Sequence, residues 1–282
     1  MFLLLIEKQK NMRTTITASV MNSKAQWLEK FFRFGLISKG VVYCLLGILT
    51  VMAAVGLSGE KASKTDAFNL IYEQPLGKIL LAIVALGLFG YVTLRLFQAF
   101  KDIDHKGDNA KGIVTRIGYA VSALIYLSLG IYAAKLVLNG SGGSGGNSKQ
   151  TIVAKILELP AGVWIIGLVA LIIMISGGYQ IYKGVTGKFM KKIQLIKSNF
   201  SDVFKKAGTI GYVSRGVVLL IIGYLLFHAA LNANPGEVQD TEGAFKFLEN
   251  KFGSVLMAIA ALGFVGYGVF MFVKAKYERI TA

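Results

Sequence analysis

Cysteine, histidine, proline and acid are all scarce in this chain. A single cysteine, Cys44, rules out an internal disulfide and implies no thiolate metal site. Two histidines, His105 and His228, leave most acid–base and metal schemes short of parts. Charged residues make up 16% of the chain, where an ordinary soluble domain carries about 25%. Acids number 15 against 31 Lys plus Arg, for a net charge of +16. No HExxH, dinucleotide fingerprint or metal-spaced Cys/His cluster occurs. A G-x-S-x-G match at 142–146 lies in a Gly/Ser run with no strand before it, so Ser144 is no nucleophile. The sequence therefore reads as a non-enzyme, with no cofactor and no metal.

What is present is hydrophobic, 54% of the chain. It comes in six runs, at 40–57, 77–94, 117–134, 159–182, 216–227 and beyond, and 252–273. A bilayer core of about 30 Å takes about 20 helical residues, so each run is a membrane-span candidate. None alternates as a barrel strand would. The cations sort by side. Lys24, Lys30, Arg33, Lys101, Lys106, Lys111, Lys188, Lys191, Lys205, Lys206, Lys276 and Arg279 fall with the termini and the even loops. The odd loops carry few cations and many acids. Positive loops stay cytoplasmic, which places both termini inside. The basic excess is thus a topology signal that also attracts anionic lipid, and it does not point to nucleic acid.

Residues 1–30 read as a cytoplasmic tail. Residues 1–20 lack the order of a signal peptide, and Met1, Met12 and Met21 are all plausible starts. Trp27–Phe34 is expected to lie at the inner interface.

The runs form three repeats, at 31–102, 112–187 and 205–279, each with two spans. Aligning Gly35, Gly118 and Gly211 brings into register Gly40, Ala123 and Gly216, then Tyr43, Tyr126 and Leu219, then Gly47, Gly130 and Gly223. Aligning Gly77, Gly162 and Gly253 does the same for Ala85, Ala170 and Ala261, then Gly87, Ile172 and Gly263, then Tyr91, Ser176 and Tyr267. The fold expected is an all-α membrane protein of three tandem helical hairpins, with pseudo-threefold symmetry. Before each second span stands an outer segment of helical periodicity (AFNLIYEQPLG, IVAKILELPAG, AFKFLENKFG), expected to lie on the outer surface. Pro75 and Pro160 suit the first turn of the next span. GSGGSGGNS at 140–148 reads as a flexible linker.

Small residues let membrane helices approach, and a tyrosine hydroxyl needs a partner in hydrocarbon. Gly40, Tyr43, Gly47, Gly130, Gly216 and Gly223 on the odd spans, with Gly87, Tyr91, Gly263 and Tyr267 on the even ones, are therefore the expected packing faces. The even stripes grow more polar toward the cytoplasm, as Gly87–Tyr91–Arg95–Gln98, Ile172–Ser176–Gln180–Lys183 and Gly263–Tyr267–Met271–Lys274. Two readings fit: helix packing with snorkelling cations, or a polar pocket facing the cytoplasm. On the second reading Lys39, Arg215, Arg95, Lys183 and Lys274 contact an anion or an anionic headgroup. Ser122 takes the place of Lys39 and Arg215 in the middle copy.

SKGVVYCLLG, SRGVVLLIIG, QPLG…ALGLFGY and KFG…ALGFVGY, repeated in three units, resemble the DUF1206 family. That resemblance implies a six-span protein of the bacterial plasma (inner) membrane and carries no activity with it. The expected function is a lipid- or partner-binding membrane component. A small transporter or channel for an anionic solute, using the axis between repeats, is the alternative.

Overall fold

The computed structural model describes residues 2–57, 64–140, 145–193 and 201–278, and their side chains except those of 2–25, 64, 111, 145–149, 191–192 and 201. It is helical throughout. The helices are α1 (Phe2–Ala54), α2 (Lys64–Glu73), α3 (Gly77–Phe100), α4 (Ala110–Asn139), α5 (Gly145–Leu157), α6 (Gly162–Val185), α7 (Ser201–Leu231), α8 (Thr241–Phe252) and α9 (Ser254–Tyr277). Six of them, α1, α3, α4, α6, α7 and α9, hold stretches long and apolar enough to cross a membrane. The protein is a multi-pass membrane protein. The end where the odd spans start and the even spans finish is called the basic end below.

Local chemistry explains the corners. A Cβ on Gly77 would lie 2.1 Å from the carbonyl oxygen of Ile71, and one on Gly162 2.0 Å from that of Ile156. Only glycine lets α3 and α6 start against the end of the preceding helix. Pro75 and Pro160 stand in these turns, before the helices rather than in their first turns as the sequence suggested. Asn109 caps α4 by accepting from the Gly112 amide at 2.8 Å, and Asp240 caps α8 through the Glu242 amide at 2.9 Å. Between α3 and α4, the Asp102 carboxylate accepts from the Lys106 and Gly107 amides, each at 2.8 Å. These two bonds hold its carboxyl below the usual carboxylate range. Arg116 reaches back from α4 to the carbonyls of Ala99 and Phe100, at 2.8 and 3.3 Å, closing the C-terminal end of α3.

Three further points refine the expectations. Residues 2–30, read as a tail with an interfacial segment, continue the first span as one helix. The 140–148 linker is helical from Gly145; residues 141–144, with Ser144, lie outside the described residues. The outer helices do not simply rest on a surface. Ala67 and Phe68 of α2, and Ala244, Phe245 and Leu248 of α8, are buried against the bundle, and Phe245 meets Phe264 of α9 at 5.3 Å between ring centroids. Burying these faces on protein is what their helical apolar period allows.

The spans pack in the order α4–α3–α1–α9–α7–α6. This is a ring of three hairpins, open at one place. Three equivalent interfaces join each odd span to the even span of the preceding repeat. Gly47 packs on Ala261 and Val265, Gly223 on Ala170 and Met174, and Gly130 on Phe89. Val265, Met174 and Phe89 occupy the same position of their repeats. Gly40 and Gly268 face each other backbone to backbone, as do Gly216 and Gly177. Two hairpins also close on themselves. A Cβ on Gly35 would lie 2.4 Å from the Tyr91 amide nitrogen, and one on Gly211 2.5 Å from that of Tyr267. The matching Gly118 of the middle repeat has nothing within 4 Å. There α4 and α6 share no comparable interface.

Sterics explain the difference. At Gly87 and Gly263 an added Cβ would meet Ser38 and Ser214 Oγ at 1.8 and 1.9 Å. The middle repeat places Ile172 and Val121 at these two positions. An isoleucine against a valine cannot approach as a glycine does against a serine, so the hairpin stays open. The pseudo-threefold arrangement holds between repeats and fails within the second.

Candidate functional site

Inside the ring, toward the basic end, tyrosines and cations converge from both closed hairpins and from α4. Tyr43 of α1 meets Tyr267 of α9 at 4.8 Å, and Tyr126 of α4 meets Tyr91 of α3 at 4.7 Å, both edge to face. These are the same repeat-to-repeat pair. In the third instance the positions hold Leu219 and Ser176, without rings. The Tyr126 hydroxyl donates to that of Tyr43 at 3.2 Å, tying the two pairs together.

Lys39 sits at the centre and is 2% exposed. Its Nζ donates to the Tyr91 hydroxyl at 2.8 Å. The same ammonium lies 4.5 Å from the Tyr91 ring centroid, 4.9 Å from Tyr126, 5.5 Å from Tyr267 and 5.9 Å from Tyr43. Tyrosine faces attract a cation and offer hydroxyl oxygens, which is how a buried ammonium is tolerated here. Arg215 repeats the arrangement in the third hairpin. Its Nη1 donates to the Tyr267 hydroxyl at 2.8 Å, and its guanidinium lies 4.9 Å from the Tyr267 ring and 5.4 Å from Tyr43. A cation–tyrosine latch thus spans each closed hairpin, and Ser122 and Ser176 replace it in the open one.

Arg95 extends the cluster. Its Nε donates to the Tyr91 hydroxyl at 2.7 Å and its Nη1 to Gln98 Oε1 at 2.8 Å, while the guanidinium lies 4.9 Å from the Tyr119 ring. Tyr119 in turn donates to Asp104 at 2.8 Å. Lys274 pairs with Glu278 at 3.1 Å, two turns along α9 from Tyr267. Neither Arg95 nor Arg215 makes an ion pair with a carboxylate among the described residues. The site therefore carries surplus positive charge.

Of the five cations singled out by sequence, the fold gathers Lys39, Arg95, Arg215 and Lys274 around Tyr91 and Tyr267. Lys183 stays apart on α6, over the Tyr179 ring at 4.3 Å. The packing glycines lie where helices meet: Gly40, Gly47, Gly216 and Gly223 between repeats, and Gly87 and Gly263 within hairpins. Gly130 contacts Phe89 at an ordinary 3.4 Å. Sequence reasoning did not assign Tyr126 or Tyr119 to the site. Tyr126 shared a repeat position with Tyr43, which was the available signal. Arg33, read only as a topology charge, binds the far end of α9. It donates to the carbonyls of Ala275, Lys276 (3.0 Å) and Glu278 (3.2 Å), and pairs with Glu29 at 2.6 Å.

At the other end of the bundle Tyr224, His228, Glu237, Gln239 and Phe247 line an open depression. His228 meets Glu237 at 3.3 Å, and Asn232 donates to both Glu237 oxygens. Those donors hold the Glu237 carboxyl below its ordinary range. No group of three or more His, Cys, Asp or Glu among the described residues is placed to hold a metal ion.

A family model described as Domain of Unknown Function (DUF1206) matches residues 34–102, 117–187 and 210–278, one segment per hairpin. The chain is 33% identical over 258 residues to "Uncharacterized protein YxxB" of Bacillus subtilis (strain 168), covering 90% of this chain and 93% of the relative. No solved structure matches it significantly. With every repeat matched and a relative aligned along nearly its whole length, the chain belongs to the DUF1206 family.

Proposed function

We propose that this is a non-enzymatic membrane component that binds an anionic lipid headgroup at the tyrosine–cation cluster. One observation carries the reading. Arg95 and Arg215, neither ion-paired to a carboxylate among the described residues, join the buried Lys39 and the Glu278-paired Lys274 around two tyrosines. Surplus charge in a low-dielectric site favours an anion from outside the chain. The sided cations of the loops support cytoplasmic termini; with that orientation the cluster lies toward the inner leaflet of a bacterial plasma membrane, where anionic lipid adds attraction. An anion path along the axis is the weaker reading, because the Tyr43–Tyr267 and Tyr43–Tyr126 contacts fill the space such a path would use.

The test is native mass spectrometry of the full chain released from mixed phosphatidylglycerol and phosphatidylethanolamine. Preferential retention of phosphatidylglycerol is expected, lost in an Arg95→Gln/Arg215→Gln variant that still purifies as a folded protein. Equal retention of both lipids, or an unchanged preference in the variant, overturns the reading. Anion flux into proteoliposomes above that of empty vesicles would favour the path instead.

A further inference from the structure

The closed hairpins bury matched faces. Gly35, Ser38 and Val42 of α1, and Gly87, Tyr91 and Leu94 of α3, are all buried. So are Gly211, Ser214 and Val218 of α7, and Gly263, Tyr267 and Phe270 of α9. The same positions of the middle repeat are Gly118, Val121 and Ile125 on α4, and Ile172, Ser176 and Tyr179 on α6. Every one is exposed, Ile125 by 49%, Ile172 by 45% and Tyr179 by 47%. The two ends of the open ring thus present bare faces that, in the other repeats, meet each other.

The residues on these faces select the occupant. Between α1 and α9, between α6 and α7, and inside the two closed hairpins, a glycine lies at the close approach. The bare faces place Val121, Ile125, Ile172, Ile175 and the Tyr179 ring around Gly118 and Ser176. Branched and bulky side chains hold another helix away, whether from a second copy or from a different protein. A flexible hydrocarbon chain conforms to them. Charge supplies the selectivity, because an acyl chain gains little by leaving one apolar surroundings for another. Arg95 of α3 lies 4.9 Å from the ring of Tyr119 on α4, the neighbour of Gly118, so the cation cluster reaches the α4 side of the opening. On α6, Gln180 occupies the position that Arg95 holds in repeat 1. Its Oε1 is buried without a hydrogen-bond partner, an acceptor suited to a headgroup hydroxyl.

We propose that the opening between α4 and α6 holds one acyl chain of an anionic phospholipid whose phosphate lies toward Arg215 and Arg95. This rests on the headgroup reading above and adds where the tail goes. The open hairpin then serves as the lateral doorway from the bilayer to the cluster, left in place by Ile172 and Val121.

The full chain in nanodiscs containing phosphatidylglycerol with a photoactivatable acyl chain tests it. Crosslinks are expected to concentrate severalfold on the segments around Ile125, Ile172 and Ile175, relative to Leu86 and Leu262, which are exposed outside the opening. Ile172→Trp, which fills the gap, should remove that excess and leave Leu86 and Leu262 labelled as before. Uniform labelling, or an excess that survives Ile172→Trp, overturns the placement. So does a protein crosslinked at Ile125 or Ile172 in membranes. The two ideas fail separately. If the preference for phosphatidylglycerol persists in mass spectrometry while crosslinks are uniform, only the placement is lost. If a phosphatidylethanolamine probe labels the opening equally, the headgroup reading is lost and the opening remains a tail site.

Discussion

Tyr91 accepts from two cations of the cluster at once. Its hydroxyl oxygen takes one hydrogen bond from Lys39 and another from Arg95, at 2.8 and 2.7 Å. Hydrogen bonds to charged groups are each worth about 1.5–3 kcal/mol, and a donor left unmet in a dry site costs more than one returned to water. Tyr91→Phe keeps the ring and removes only the oxygen. It should destabilise the protein by about 2–4 kcal/mol in thermal unfolding in detergent, given that two charged donors lose their acceptor. Tyr267→Phe should cost less, because among the described residues Tyr267 accepts from Arg215 alone and Arg215 is only half-buried. Equal losses would mean that the ring contacts, not the hydroxyls, hold the cations. At this scale the sequence showed which residues mattered but not how they meet. A cation one residue before a glycine, and a tyrosine on a small-residue stripe, could be seen directly. That Lys39 turns inward under four rings could not, since three of those rings come from other helices. Helical spacing locates a side chain on its own face and says nothing about which neighbour that face will find.

Three glycines at one repeat position provide a matched experiment on the hairpins. Gly35 and Gly211 lie against the backbone of Tyr91 and Tyr267, while Gly118 faces open space. Gly35→Ala and Gly211→Ala force two helices apart and should each destabilise by roughly 1–3 kcal/mol, the usual cost of overpacking. Gly118→Ala makes no clash and gains helix propensity, so it should be neutral or stabilising by up to about 1 kcal/mol. Thermal unfolding of the three single variants checks this; a loss at Gly118 comparable to the other two would mean that α4 and α6 do close. The repeats, the six spans and the outer helices were legible because each leaves a period in the chain. Ile172 was legible too, as a departure from glycine at a repeat position. Its consequence was not, because an alignment records that two residues differ and not that a Cβ at Gly87 would come within 1.8 Å of Ser38 Oγ. The continuous α1 was missed for a related reason. Polar residues interrupt the apolar run at 7–13, and the end of an apolar run is not the end of a helix.

The whole molecule divides into two halves, and they are not the repeats. Helices α1, α3 and α4 pack in one row, α9, α7 and α6 in another, and the rows meet where α1 crosses α9. The chain passes from one half to the other between α4 and α6, helices that scarcely touch. That connection should therefore add little to holding the halves together. The α1–α9 seam should do the work, through Gly40 against Gly268, Gly47 against Ala261 and Val265, and Arg33 on the last carbonyls of α9. A protease site inserted within residues 141–144, cut after purification in mild detergent, should leave two fragments that run together on a sizing column. Adding Gly47→Leu should separate them, since a Cβ there already meets the Ala261 carbonyl oxygen at 2.6 Å. The uncut Gly47→Leu protein, still tethered, serves as the control for folding. Separation without the second substitution would show that the covalent link, and not the glycine seam, holds the ring. Fragments that stay together despite Gly47→Leu would show that the seam does not depend on Gly47, and that Gly40, Gly268 and Arg33 or a contact between α4 and α6 hold the halves.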